Sequence, residues 1–177
     1  MKKILAFAGS TSSTSINKKL ATFAAENLVN TSFDVIDLRD FTMPIYSEDE
    51  EKNGFPEDAK RFSALFDEYD GFIVSLAEHN GSYTAAFKNI YDWVSRVHAN
   101  VFRNKPLLLM ATSPGARGGF SVLNAGIEKF SRMGAKGVIG FSLPSFYDNF
   151  KEGKVINEEF SSILKEKVNE FEQFINQ

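Results

Sequence analysis

Ten residues near the start of the chain carry its clearest chemistry: Ala8-Gly9-Ser10-Thr11-Ser12-Ser13-Thr14-Ser15-Ile16-Asn17. One glycine is followed by six consecutive hydroxyl side chains. An apolar run, Ile4 to Ala8, precedes them, and a helical pattern with Ile16, Leu20, Phe23 and Ala24 on one face follows. A loop so placed can hold a phosphate. Glycine lets the backbone turn tightly, the helix N-terminus offers unpaired N–H groups and a positive dipole end, and the hydroxyls add donors. One Ser or Thr would be enough to cap the helix, and six exceed that need. The Walker pattern Gly-x-x-x-x-Gly-Lys-Ser/Thr is absent, since Lys18 and Lys19 come later, on the helix. The dinucleotide pattern Gly-x-Gly-x-x-Gly is absent too. A hydroxyl-rich loop without its own cation suits a single phosphomonoester, and therefore a mononucleotide.

Two further stretches have material for a ligand wall. Glu78-His79-Asn80-Gly81-Ser82 combines polar side chains with a glycine that permits close backbone approach. Ser113-Pro114-Gly115 with Gly118-Gly119 exposes backbone N–H and C=O groups without side-chain bulk, as the edges of a planar heteroaromatic ring require. Pro-Gly alone signals only a turn, but the glycine content exceeds what one turn needs. His79 reads as a wall residue or a structural hydrogen-bonding group, because no Ser-His-Asp or Cys-His set accompanies it. Two histidines and no cysteine exclude disulfide scaffolds, thiolate nucleophiles and a convincing zinc site. No metal site is expected. Arg117 reads as a solvated surface residue, and Phe87, Tyr91 and Trp93 as core or subunit contacts.

Positioning these loops falls to an alternation of strand and helix. Strands are expected over Lys3 to Ala8, Phe33 to Leu38, Tyr69 to Leu76, Lys105 to Ala111 and Gly137 to Phe141. Helices are expected over Ser15 to Val29, Pro56 to Glu68, Thr84 to Val97, Phe120 to Met133 and Glu158 to Ile175. Arg39 to Pro56 reads as irregular, its acidic run Glu48 to Glu51 as a solvated loop, and Pro144 to Gly153 as rich in turns. Alternation of this kind implies a parallel sheet covered on both faces, a three-layer α/β/α sandwich. With the order 2-1-3-4-5, the strands that precede the three special loops are neighbours, and the loops meet on one rim beyond the strand ends. At 177 residues, with 43% hydrophobic and 24% charged side chains, the chain is expected to form one domain, 1–177. A net charge of −3 supplies no basic field for nucleic acid or anionic lipid. No apolar run approaches a membrane span and the N-terminus lacks a signal h-region, so a cytoplasmic protein is expected.

The residues just quoted, together with Tyr83, Lys88-Asn89 and Asp92-Trp93, give the chain a resemblance to the NADPH-dependent FMN reductases, a flavodoxin-like family. The match spreads over most of the chain, with three loops in the right order. The resemblance implies that Gly9, Ser10, Ser12, Ser15, Ile16 and Asn17 bind the FMN phosphate. It implies that Ala77, Glu78, His79, Asn80, Gly81, Ser82, Ser113, Pro114, Gly115, Gly118 and Gly119 hold the ribityl chain and the isoalloxazine. It further implies NADPH or NADH as cosubstrate, a flavin, quinone or similar small acceptor, no catalytic side chain beyond the flavin, and a homodimer or homotetramer. Two departures stand out: the family's Pro-Glu-Tyr-Asn is Ala77-Glu78-His79-Asn80 here, and the first loop lacks the arginine often found among its hydroxyls. The alternative function is a flavodoxin-type FMN electron carrier, although such carriers tend to be more acidic than this chain.

Overall fold

The computed structural model describes residues 1–177. In chain order the elements are β1 (Lys3–Gly9), α1 (Ile16–Glu26), β2 (Ser32–Val35), α2 (Glu48–Lys52), α3 (Glu57–Glu68), β3 (Gly71–Leu76), β4 (Glu78–His79), β5 (Ser82–Tyr83) and α4 (Ala85–Val97). They continue with β6 (Lys105–Thr112), α5 (Phe120–Ser131), β7 (Ala135–Leu143), α6 (Phe146–Asn149), β8 (Phe150–Lys151), β9 (Lys154–Val155) and α7 (Glu158–Ile175). The main sheet is parallel, with order β2-β1-β3-β6-β7. This is the expected 2-1-3-4-5 of a flavodoxin-like fold, once the two small hairpins β4–β5 and β8–β9 are set aside.

Apolar runs in β1, β3 and β6 form strands because the layers on both sides take up their alternate residues. Leu5, Phe7, Phe72, Val74, Leu107 and Leu109 face α3, α4 and α5 through Phe62, Phe66, Phe87, Ile90 and Phe130. Ile4, Ala6, Ile73, Leu108 and Met110 face α1 and α7 through Leu20, Ala24, Leu164, Val168 and Phe171. Many of the phenylalanines are spent on the first of these layers. Phe66 lies 4.6 Å from Phe72, and Phe7 meets Phe62 edge-on at 5.6 Å. Each such ring is worth about 1.5–3 kcal/mol on burial.

Several expected boundaries change. Helix α1 stops at Glu26, where Asn27 N–H donates to Ala24 O and Leu28 N–H to Ala25 O. Strand β2 stops at Val35, the last residue in register with β1, opposite Ala6, and Leu38–Asp40 turns as a 3-10 helix capped by Asp37. The acidic run is not a loop: Ser47 caps a short helix, α2, and the carboxylates of its first turn suit the positive end of the dipole. The stretch from Ala77 to Ser82 is a hairpin rather than an open loop. Asn80 and Gly81, at φ 52° and 75°, supply the two left-handed residues that a two-residue turn demands.

Candidate functional site

Beyond the carboxyl ends of β1, β3 and β6 lies a cleft of about 220 Å³. Its wall includes Ser10, Ser12, Ser15, Ile16 and Asn17 from the first loop, Ala77, Glu78 and His79 from the hairpin, and Ser113 and Pro114 from the loop after β6. The three loops singled out in the sequence do converge.

The first loop is organised by its own hydroxyls. Ser10 Oγ accepts from Ser12 N at 3.1 Å, Ser12 Oγ from Thr14 N at 3.3 Å, and Ser15 Oγ caps α1 by accepting from Lys18 N at 3.1 Å. Having accepted, the Ser10 and Ser15 hydroxyls keep their own protons for donation outward. The N–H groups of Ile16 and Asn17, in the first turn of α1, donate to no group in the protein. Two N–H groups, two hydroxyls and a helix dipole thus meet at the cleft, and no cation does. Lys18 Nζ is 2.6 Å from the Asp37 carboxylate, which Arg39 also grips through Nε and Nη2 at 3.0 and 2.9 Å. Arg39 holds Asp37 well below the ordinary carboxylate range, with Lys18 adding to the effect and partial burial opposing it. The chemistry of this donor set is that of a dianion held by neutral donors, which fits one phosphomonoester.

Asn17 has a different role from the one expected of its side chain. Its Nδ2 donates to Thr112 O at 3.1 Å, and its Oδ1 accepts from Ser75 Oγ at 2.7 Å and Thr112 N at 3.0 Å. All three residues are buried, so this amide knots α1 to the ends of β3 and β6 under the cleft. Its backbone N–H, in the first turn of α1, remains available to an anion. Gly9 lies at the base of the loop: its carbonyl accepts from Thr84 Oγ1 at 2.8 Å, and a Cβ there would come within 3.1 Å of Leu76.

Glu78 is likewise committed. The N-cap residue of α5 is Gly119, which has no side chain with which to cap it, and the Glu78 carboxylate reaches across from the hairpin to accept from Val122 N at 2.9 Å. One carboxylate therefore joins the second and third loops. Gly118 and Gly119 serve packing more than ligand approach. At φ 56° and 75° they bring the chain so close that a Cβ on Gly118 would lie 2.8 Å from Pro144 N, and one on Gly119 2.8 Å from Ala111 Cβ. The carbonyls of Ser113, Gly115 and Gly118 accept from Phe146 N, Ser145 N and Ser142 Oγ respectively. The edge offered by this loop is thus chiefly N–H. Gly115, Asn80, Gly81 and Ser82 stand outside the cleft wall, at the exposed tips of their loops.

Thr14, one of the six hydroxyl residues of the first loop, lines the cleft as well, and so do Thr112 and Tyr147, which the sequence did not mark as binding residues. Thr112 follows from the rule that strand C-termini face the ligand crevice. Tyr147 had no such signal, because it enters on the segment after β7, which the two backbone bonds to Ser113 and Gly115 fold back over the cleft. Burial pushes the Tyr83 phenol, at the base of the hairpin, up to about 12, and the Tyr91 phenol higher still, so neither ionises near neutral pH.

A family model described as NADPH-dependent FMN reductase matches residues 2–147. A quinone reductase of Pseudomonas putida is 32% identical over 119 residues, which are 66% of this chain and 63% of that protein. An NAD(P)H-dependent FMN reductase of Pseudomonas aeruginosa is 33% identical over 117 residues, 66% of this chain and 62% of that one. The chain thus spans less than two thirds of the length of either relative. Among solved structures, a flavoenzyme NAD(P)H:(acceptor) oxidoreductase from Paracoccus denitrificans superposes with a TM-score of 0.78 at 23% identity, covering 99% of this chain and 98% of that one.

Proposed function

We propose, because this chain belongs to the NADPH-dependent FMN reductase family, that it is an oxidoreductase binding FMN in the cleft and using NAD(P)H to reduce a flavin, a quinone or a similar small acceptor. The observation that carries the reading is the cation-free cradle of Ile16 N–H, Asn17 N–H, Ser10 Oγ and Ser15 Oγ at the end of β1. When bound, FMN supplies the redox chemistry, taking hydride from the nicotinamide and passing electrons to the acceptor. The protein's own part is position and electrostatics. The first loop fixes the phosphate, the His79 side and the Ser113–Pro114 side flank the rest, and the N–H-rich edge after β6 faces whatever ring lies between them.

The reading extends to the whole chain, 1–177, acting as one FMN-binding domain in the cytoplasm. No helix is long and apolar enough to cross a membrane. Family resemblance supports a homodimer or homotetramer, which light scattering on the eluted protein tests directly. For the activity, the test is a visible spectrum of the purified protein mixed with FMN, followed by anaerobic NADPH or NADH. Bound flavin that bleaches is expected. Bound flavin that neither nucleotide reduces would favour the electron carrier, and absence of binding would remove the cradle from consideration.

A further inference from the structure

The cleft opens, past the first loop, onto a larger groove of about 720 Å³ that runs between α1 and the β8–β9 hairpin. The two spaces have Thr14, Ser15 and Tyr147 in common. Thr14 and Ser15 are small and belong to the loop itself, and Ser15 is committed to capping α1. Tyr147 is the bulky side chain at the junction. Beyond it the groove has room for a ligand, within the range of about 300–1,000 Å³ of small-molecule sites. It also has an exposed lysine, Lys19, and an apolar middle where Phe23 meets Phe150 edge-on at 5.9 Å.

Backbone strain goes into placing the Tyr147 ring. Ser145, two residues ahead, has φ 46°, a left-handed conformation that non-glycine residues adopt where their surroundings hold them in it. Here Ser145 N and Phe146 N donate to Gly115 O and Ser113 O at 2.9 and 3.0 Å, and Asn149 Nδ2 donates to Pro144 O at 2.8 Å. Phe146 is buried, stacks on Phe150 at 4.7 Å and meets Tyr147 edge-on at 5.5 Å, so the tyrosine ring is backed by a fixed neighbour. Yet Tyr147 itself remains 58% exposed at the meeting of two cavities.

We propose that Tyr147 closes the phosphate end of the flavin site and restricts it to the mononucleotide. The inference rests on the FMN reading above and adds to it a residue that sets cofactor specificity. A flavin dinucleotide carries the same phosphate joined through an anhydride oxygen to a second phosphate and an adenosine. The space beside the cradle large enough for that extension is the groove, and Tyr147 stands at its entrance.

Calorimetric titration of the flavin-free protein with FMN and with FAD reads the wall without any reduction step. The wild-type protein is expected to bind FMN at least about tenfold more tightly, because admitting bulk past a well-backed side chain distorts the site. Tyr147→Phe keeps the ring and should keep the ratio. Tyr147→Ala opens the passage and should bring the two affinities within about threefold, Lys19 adding what one exposed ion pair can. Equal affinities in the wild type, or a preference for FMN that survives in Tyr147→Ala, overturns the proposal. So does a preference lost equally in Phe and Ala, which would make the hydroxyl responsible, or loss of both flavins from a folded Tyr147→Ala, which would make the ring a general flavin contact. A wild-type protein that binds neither flavin overturns the cleft reading, and the wall with it.

Discussion

Replacing Glu78 separates two roles that a carboxylate at the edge of a cofactor cleft can have. In the structure it caps α5 from another loop, through a 2.9 Å bond to Val122 N, where the helix's own N-cap residue is a glycine. Loss of a side-chain cap costs about 0.5–2 kcal/mol, and loss of a negative charge at a helix N-terminus about 0.3–1 kcal/mol. Glu78→Ala should therefore cost about 1–2 kcal/mol. For a chain of this size that lowers Tm by about 3–6 °C. Glu78→Gln keeps an acceptor oxygen and gives up only the charge, so its Tm should fall by about 1–3 °C. The assay is thermal unfolding followed by circular dichroism on flavin-free protein, beside FMN affinity from quenching of flavin fluorescence. The cap predicts that both readouts rank Ala below Gln. Unchanged Tm in both variants, with FMN affinity lost equally in Ala and Gln, would show that the carboxylate acts on the ligand and would refute the capping argument.

The Asn17 knot predicts that Asn17→Asp, which keeps both accepting interactions but turns an oxygen toward Thr112 O, costs about 2–4 kcal/mol. Chemical denaturation should find that gap narrower at pH 5 than at pH 8, because a protonated carboxyl can again donate. Gly118→Ala should cost about 2–4 kcal/mol, since φ is +56° and the new methyl would press on Pro144 N and Ser142 Oγ. Urea midpoints measure this loss, and weaker FMN binding should accompany it. Asp37 gives a pH dependence. Its pKa is depressed in the folded protein, chiefly by the Arg39 hydrogen bonds, so its stabilisation is complete above the ordinary carboxylate value of 3.8 and fades as pH falls below it. Asp37→Asn should accordingly lower stability by about 1.5–3 kcal/mol at pH 7 and by clearly less at pH 3. An equal loss at both values would contradict the assignment.

The sheet order was legible because uninterrupted apolar strands such as Phe72 to Val74 and Leu107 to Met110 can only lie in a sheet covered on both faces. The convergence of the three loops followed from that order. Less legible was which polar group each loop spends on the protein itself. Asn17 and Glu78 have the composition of ligand-binding residues, yet their partners, Thr112 and Val122, lie 95 and 44 residues away. No local pattern reveals such a bond. Glycines were ambiguous for a related reason: Gly118 and Gly119 look like room for a ligand, whereas the space beside them is already taken by Pro144 and Ala111. The α2 helix was hidden by its charge, which reads as a solvated loop until Ser47 is seen to cap it. Tyr147 lay in a stretch legible only as turns.

The β4–β5 hairpin joins a pinned base to a free tip. Glu78 and Thr84 fasten its two ends to α5 and to β1. At the tip nothing lies within 4 Å of the position a Gly81 Cβ would take. Lengthening a flexible turn costs only about 0.6 kcal/mol for each doubling. New residues inserted between Asn80 and Gly81 would therefore extend into open space while leaving the cradle untouched. Descendants of this chain have, in that turn, a place where the rim of the cleft can diversify without the fold being renegotiated.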